Sequence, residues 1–387
     1  MTFANITNKE VKKEKRVCSY VSLIIVGVFL VNILGALSSV MGIAYSETSV
    51  VVKLLMGGFF ITIIPIILQR FTVKMMIVTL VSILVTLLNL LFFQKNTSIF
   101  VDTAMSYYTM CFTGFLAISS IRDKNILKES LLKFSRIIGL ICIVLMIGII
   151  SGAIERFNNG DYSMGLGYAC LIPLLNLICA FIEKQKVYDF LGIVGLLFLL
   201  ISYGSRMPLL AVGLFGVFFV IRYLSANKKY LSCVCLCILI LLLIVYYESI
   251  LILLIEVLSN WGINSRTLNL IVYDLSHDSG RDTIYFLLLN QIVNHPFQIR
   301  GINAEYLVVG GYAHNLFLEL IYQFGILLGG LAVLFLLIKF FKTISLKDYS
   351  EENLFKWIFF FASIPQLMFS STLWTNIGFW LWFAMII

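Results

Sequence analysis

Residues 73–93 read VKMMIVTLVSILVTLLNLLFF, an unbroken apolar run whose one charge, Lys74, stands at its start. A hydrocarbon core of about 30 Å is crossed by about 20 helical residues of this kind. The run is apolar on every face, which marks a helix with no aqueous side. Alternating apolar and polar residues in segments of about ten would mark an outer-membrane barrel instead. Working outward, comparable runs give expected spans at 17–37, 50–68, 73–93, 103–121, 137–154, 166–182, 190–204, 207–224, 231–247, 315–338 and 357–373, with a short one at 376–387. The composition agrees: 60% hydrophobic, 12% charged and a mean hydropathy of +1.00 exclude a soluble globular class. The expected fold is all-α, a polytopic transmembrane helical bundle of about 11–12 spans forming one integral domain over 1–387, because closed helices satisfy their own backbone groups in lipid.

Cytoplasmic loops concentrate Lys and Arg. With the N-terminus inside, 21 of the 28 cations fall on the cytoplasmic side. The outside keeps Lys53, Lys95, Arg156, Arg206, Arg266, Arg281 and Arg300, mostly arginines although the internal cations are mainly lysines. The net charge of +8 therefore reads as an insertion signal facing anionic membrane lipid, with no nucleic acid implied. Val17 to Leu37 is too long for a cleaved signal and reads as a retained first span. No cytoplasmic loop reaches twenty residues and no Walker or dinucleotide glycine motif occurs, so any chemistry runs without a nucleotide cofactor bound inside. The eight cysteines lie in or at the ends of apolar runs; Cys233, Cys235 and Cys237 share no helical face and read as structural. No Asp-x-Asp occurs and no metal site is expected.

The exception to short loops is 248–314, external by the charge count and too long to be structureless. Ser279-Gly280-Arg281-Asp282 matches a capping box, and Ile284, Leu287, Leu288 and Ile292 follow at helical spacing, which predicts an interfacial amphipathic helix. Arg206 stands in a polar break, Tyr203-Gly204-Ser205-Arg206-Met207-Pro208, where it either snorkels to the surface or meets a partner. Arg281 opens the loop helix and His314-Asn315 opens the tenth span, so all three sites lie at helix N-termini. Such termini carry partial positive charge and free N–H groups, which with two arginines would suit a phosphate or pyrophosphate. His314 can accept a proton near neutral pH, or can serve as a polar cap. Glu319, one turn below Asn315, either orients His314, lines the site, or is a neutral acid bonded to a neighbouring helix. Arg156 and Arg266 are external candidates for substrate contact or ordinary surface residues, and His277 and His295 read as solvated loop residues.

Together, the Gly204-Ser205-Arg206 break, the outer loop with Arg281, Asn294-His295-Pro296-Phe297 with Gly301, and Ala313-His314-Asn315 leading through Glu319 to Gly325 and Gly329-Gly330 resemble the O-antigen polymerase and O-antigen ligase superfamily over about residues 200–338. Two departures are Gly301-Ile302-Asn303 in place of Gly-x-Gly, and Gln323 where a Glu commonly precedes the Gly. The resemblance implies a metal-independent glycosyltransferase of GT-C-like fold in a bacterial plasma membrane. It would join repeat units carried on undecaprenyl pyrophosphate, for capsule, exopolysaccharide or O-antigen. It further implies that Arg206 and Arg281 hold the donor pyrophosphate, that His314 activates the acceptor hydroxyl, and that Asn315, Glu319, Arg156 and Arg266 are candidate substrate contacts. Lipid-linked oligosaccharides would be the substrates, and a flippase and chain-length regulator of the same pathway are the partners it allows. Ligase-type transfer to another acceptor is the near alternative. A lipid-linked oligosaccharide flippase is the distant one, though no internal repeat marks two transporter halves.

Overall fold

The computed structural model describes residues 8–41, 45–152, 164–226, 245–273, 280–345 and 350–387. Among the described residues the chain is helical throughout, with no strand. The elements are α1 (Asn8–Met41), α2 (Tyr45–Gln69), α3 (Val73–Phe92), α4 (Thr97–Ser106), α5 (Thr113–Ser120), α6 (Lys124–Ile150), α7 (Met164–Ala169), α8 (Leu171–Lys184), α9 (Val187–Tyr203), α10 (Arg206–Ala226), α11 (Tyr247–Asn260), α12 (Arg266–Tyr273), α13 (Arg281–Asn294), α14 (Tyr306–Val309), α15 (Leu316–Ser345), α16 (Glu351–Phe369) and α17 (Ile377–Ile386). A π-helical segment, Tyr107–Phe112, joins α4 to α5.

Among the described residues seven helices are long and apolar enough to cross a membrane: Asn8–Leu34, Val50–Gln69, Val73–Phe92, Lys124–Ile150, Met164–Lys184, Arg206–Ala226 and Leu316–Ser345. Val187–Tyr203 and Ile377–Ile386 are apolar but shorter. The expected span at 231–247 lies largely outside the described residues, and each of the others coincides with helix. One expected boundary moves: α6 begins at Lys124, where the Asp123 carboxylate caps Asn125 and Ile126 N–H, so most of the loop anticipated before residue 137 is helix. Leu80, Leu84, Leu91 and Phe92 of α3 are more than half exposed, an apolar face that only lipid or another apolar partner covers without penalty.

The bundle has two chemically different ends. At one, Arg70 at the end of α2 bonds Glu14 of α1 at 2.5 Å and the Ser120 carbonyl at 3.0 Å, while Glu14 also accepts from Arg122 and Asp123 N–H. Lys128 of α6 bridges Glu183 and Glu351 at 2.8 and 2.7 Å, and Arg136 holds Asp189 through two bonds of 2.7 and 2.9 Å. Lys339 of α15 caps the Ile386 carbonyl of α17 at 2.8 Å. These contacts collect the starts of α1, α6, α9 and α16 with the ends of α2, α5, α8, α15 and α17 on one side, the alternation an up-and-down bundle requires.

At the other end the long loop packs down onto helix termini. Helix α15 is broken at Gly325 (φ 73°, ψ 168°), a backbone region essentially reserved for glycine. A Cβ there would lie 3.0 Å from the Phe297 oxygen. The gap is filled by the loop: Arg300 and Gly301 N–H donate to the Gln323 carbonyl at 2.9 and 3.1 Å, and Ile326 N–H donates to Pro296 at 2.8 Å. The break thus converts orphaned helix carbonyls into a clamp on the loop.

Candidate active site

The candidates fall in two groups at this end of the bundle: the α9–α10 break with α12, and the starts of α13 and α15 at the end of α16. Helix α9 stops at Tyr203, and Gly204 leaves it in an extended conformation (φ −77°, ψ −171°) before α10 starts at Arg206. A Cβ on Gly167 would sit 3.0 Å from Gly204 Cα and 3.4 Å from Ser205 N, so the break and α7 require that glycine to come together. Two hydroxyls from the long loop cap the exposed carbonyls of the break: Ser265 Oγ donates to Ile201 O at 2.6 Å, and Thr267 Oγ1 donates to Gly204 O. Nothing in the sequence singled out Ser265 and Thr267; their signal was a hydroxyl pair flanking Arg266 at a helix start. Arg266 is exposed on this docked turn. Arg156 and Ser279 lie outside the described residues, as do His277 and the cysteines 233, 235 and 237.

Arg281 is the first residue of α13. Its N-cap is Gly280 in the left-handed region (φ 79°), and the expected capping box rests on Ser279, outside the described residues. The Arg281 guanidinium stands 5.7 Å from the centre of the Phe369 ring, and its Nε is buried without a hydrogen-bond partner. Along α13, Leu288 and Ile292 are buried as the spacing implied, while Leu287 stays partly exposed.

His314 precedes α15 in a left-handed conformation (φ 54°). Its Nδ1 lies 2.9 Å from the Phe369 carbonyl oxygen, and its own carbonyl accepts from Tyr285 Oη at 3.0 Å. Phe369 ends α16, where the last carbonyls have no intrahelical partner, which is why one is available. A carbonyl only accepts, so Nδ1 carries the proton and Nε2 presents a lone pair. Burial holds the His314 pKa below its ordinary value; the bond to Phe369 opposes this and the Arg281 charge reinforces it. The imidazole is therefore neutral near pH 7, with Nε2 as its basic nitrogen.

Phe369 thus brings Arg281 and His314 together. Arg206 belongs to the same end by register: Phe218 packs on Trp357 (5.3 Å between ring centroids) and Phe215 on Phe361 (5.7 Å), so α10 and α16 run antiparallel. Nine residues further along each helix, about 13 Å at 1.5 Å per residue, lie Arg206 and Ser370 at a common level. Ser205 and Ser370 are 92% and 95% buried by their exposures of 8% and 5%, and neither hydroxyl has a partner. The Ser370 hydroxyl and the Arg281 Nε–H at the end of α16, and the Ser205 hydroxyl at the α10 break, are donors in want of an acceptor. A cavity of about 280 Å³ opens beside them, lined among others by Asn32, Tyr168, Gln366, Ser371 and Asn376; none of the three charged candidates lines it.

Two candidate contacts have hydrogen-bond partners within the fold. Asn315 caps α15, its Oδ1 accepting from Phe317 and Leu318 N–H at 3.0 and 3.1 Å. Glu319 is fully buried and does not touch His314: it accepts from Thr372 Oγ1 at 2.5 Å, from Leu373 N–H at 3.3 Å and from Gln323 Nε2 at 3.4 Å. It fixes the connection after α16, and so the Phe369 carbonyl, because its oxygens are consumed there. Gln323 also donates to both Glu305 oxygens (3.1 and 3.0 Å) and accepts from Trp374 Nε1 at 3.0 Å. Glu305 is a buried acid that sequence reasoning missed, with a pKa raised by desolvation. Among the described residues no group of three or more His, Cys, Asp or Glu side chains stands together to hold a metal. No protein family, curated protein or solved structure matches the chain.

Proposed function

We propose that this chain is a polysaccharide polymerase of GT-C-like architecture. It joins oligosaccharide repeat units carried on undecaprenyl pyrophosphate at the outer face of a bacterial plasma membrane. The observation that carries the reading is the pairing of a neutral, Nδ1-anchored His314 with Arg281 across the end of α16, at the level of Arg206. In the reaction, His314 Nε2 takes the proton of an acceptor hydroxyl while that oxygen attacks the anomeric carbon of the donor. The bond from that carbon to pyrophosphate breaks, and the developing negative charge on the departing lipid pyrophosphate is held by the two guanidinium forks. The leaving group supplies the driving force, so no nucleotide is needed.

The test is polymer formation by the full chain in proteoliposomes loaded with lipid-linked repeat unit. His314→Ala should abolish elongation while the protein still inserts. Arg206→Lys should lower turnover at least tenfold, because a point charge replaces a two-pronged grip. Normal chain length in the histidine variant removes His314 from the chemistry, and wild-type turnover in the lysine variant reduces Arg206 to a surface-seeking side chain.

A further inference from the structure

A second cavity lies apart from the one lined by Gln366 and Ser371. A space of about 620 Å³ lies between the Gln94–Asn96 turn and the loop from Gln291 to Val308, a volume in the range of small-molecule sites. Its lining has a consistent chemistry. Lys95 and Arg300 are its charged residues, and no carboxylate lines it. Arg300 donates to the carbonyls of Gln298, Tyr322, Gln291 and His295, so its position is locked while no acid neutralises its charge. Lys95 is exposed. Gln94 and Gln298 add amides, and Gln291 accepts from Tyr322 Oη at 2.6 Å, which leaves its own N–H groups as donors. Phe92, 71% exposed, supplies a flat apolar wall.

Cations without counter-charges select an anion, amides that both donate and accept suit hydroxyls, and an aromatic wall suits the apolar face of a ring. From this we infer that the cavity binds the saccharide portion of an acidic, lipid-linked glycan, with Lys95 meeting a sugar carboxylate or phosphate in the field of the Arg300 charge, whose terminal N–H groups are held by the loop carbonyls. The inference rests on the polymerase reading for its substrate class and deepens it. The cavity and the pyrophosphate site are joined by one rigid element: Gln291 lies ten residues beyond Arg281 on α13, about 15 Å along the helix. Helix α13 would thus hold the two halves of one substrate at a fixed separation, so that binding energy gained remotely is used to orient the reacting sugar.

The test uses the full chain in the membranes of cells that make the polymer. A photo-crosslinking p-benzoylphenylalanine replaces Gln298, with a control at Val293, which is 74% exposed on α13. After irradiation, adducts on the purified protein are read by mass spectrometry. The expected adduct at 298 contains an acidic sugar, is absent at 293, falls about tenfold with Lys95→Glu, and persists with His314→Ala. Lys95 is exposed, so its reversal leaves the fold intact. A phospholipid adduct alone, a neutral saccharide alone, no saccharide adduct, or yield indifferent to Lys95→Glu overturns the inference. Saccharide capture together with normal polymerisation by His314→Ala would sink the catalytic assignment and spare the cavity. Loss of polymer with no capture would do the reverse.

Discussion

Replacing Tyr285 with Phe removes one hydroxyl and tests how His314 is held. The left-handed conformation of His314 (φ 54°) costs about 1–2 kcal/mol for a residue with a Cβ. Two bonds oppose that strain: Nδ1 to the Phe369 oxygen at 2.9 Å and Tyr285 Oη to the His314 oxygen at 3.0 Å. Each contributes about 0.5–1.5 kcal/mol, so together they just balance the strain and singly they do not. Losing the phenol therefore removes about 1 kcal/mol from the reactive geometry, which at about 1.4 kcal/mol per decade is about a fivefold loss. Initial rates on lipid-linked repeat unit in proteoliposomes should show kcat down about fivefold with KM little changed. The pH dependence should stay in place, because the phenol bonds the backbone and not the ring. An unchanged kcat, or a loss as deep as that of His314→Ala, would refute this account of how the imidazole is held.

Two further outcomes follow from the same geometry. Since burial and Arg281 depress the His314 pKa, the neutral base is fully present above that lowered value and is lost as pH falls through it. The acid limb of kcat/KM should lie below the ordinary histidine value of about 6.5, and Arg281→Gln should move it upward; a limb that stays put disconnects the pair. Gly325→Ala places a Cβ 3.0 Å from the Phe297 oxygen in a conformation that costs a non-glycine residue about 1–3 kcal/mol. A thermal melt of the detergent-solubilised protein should show a lower midpoint, with polymer yield reduced as the 296–301 loop loosens; an unaltered melt would show that the loop does not depend on the break.

The helices at the expected span positions were readable from residue type alone, because burial in lipid demands an apolar residue at nearly every position and that demand is local. The chemical candidates were legible for a related reason: Arg206 and His314 stand at polar breaks beside apolar runs, and Arg281 opens a helix. What each candidate touches was not legible. His314 and Phe369 are separated by 55 positions, and Thr372 reaches Glu319 across 53. The pattern around Glu319 is the same whether its oxygens face a substrate or a neighbouring turn, and only packing shows that they are consumed by Thr372, Leu373 and Gln323.

The sequence by itself determined an all-helical chain with membrane-length apolar helices and a polar loop rich in arginine and histidine. Tertiary structure alone decided that the end of α16 is the meeting point, that Ser265 and Thr267 cap the Arg206 break, and that α15 breaks at Gly325 to grip the loop. The physical reason is that hydrophobic pattern acts through a solvent common to every helix. A hydrogen-bond partner is one atom among many chemically equal ones, chosen only when the helices have taken their places.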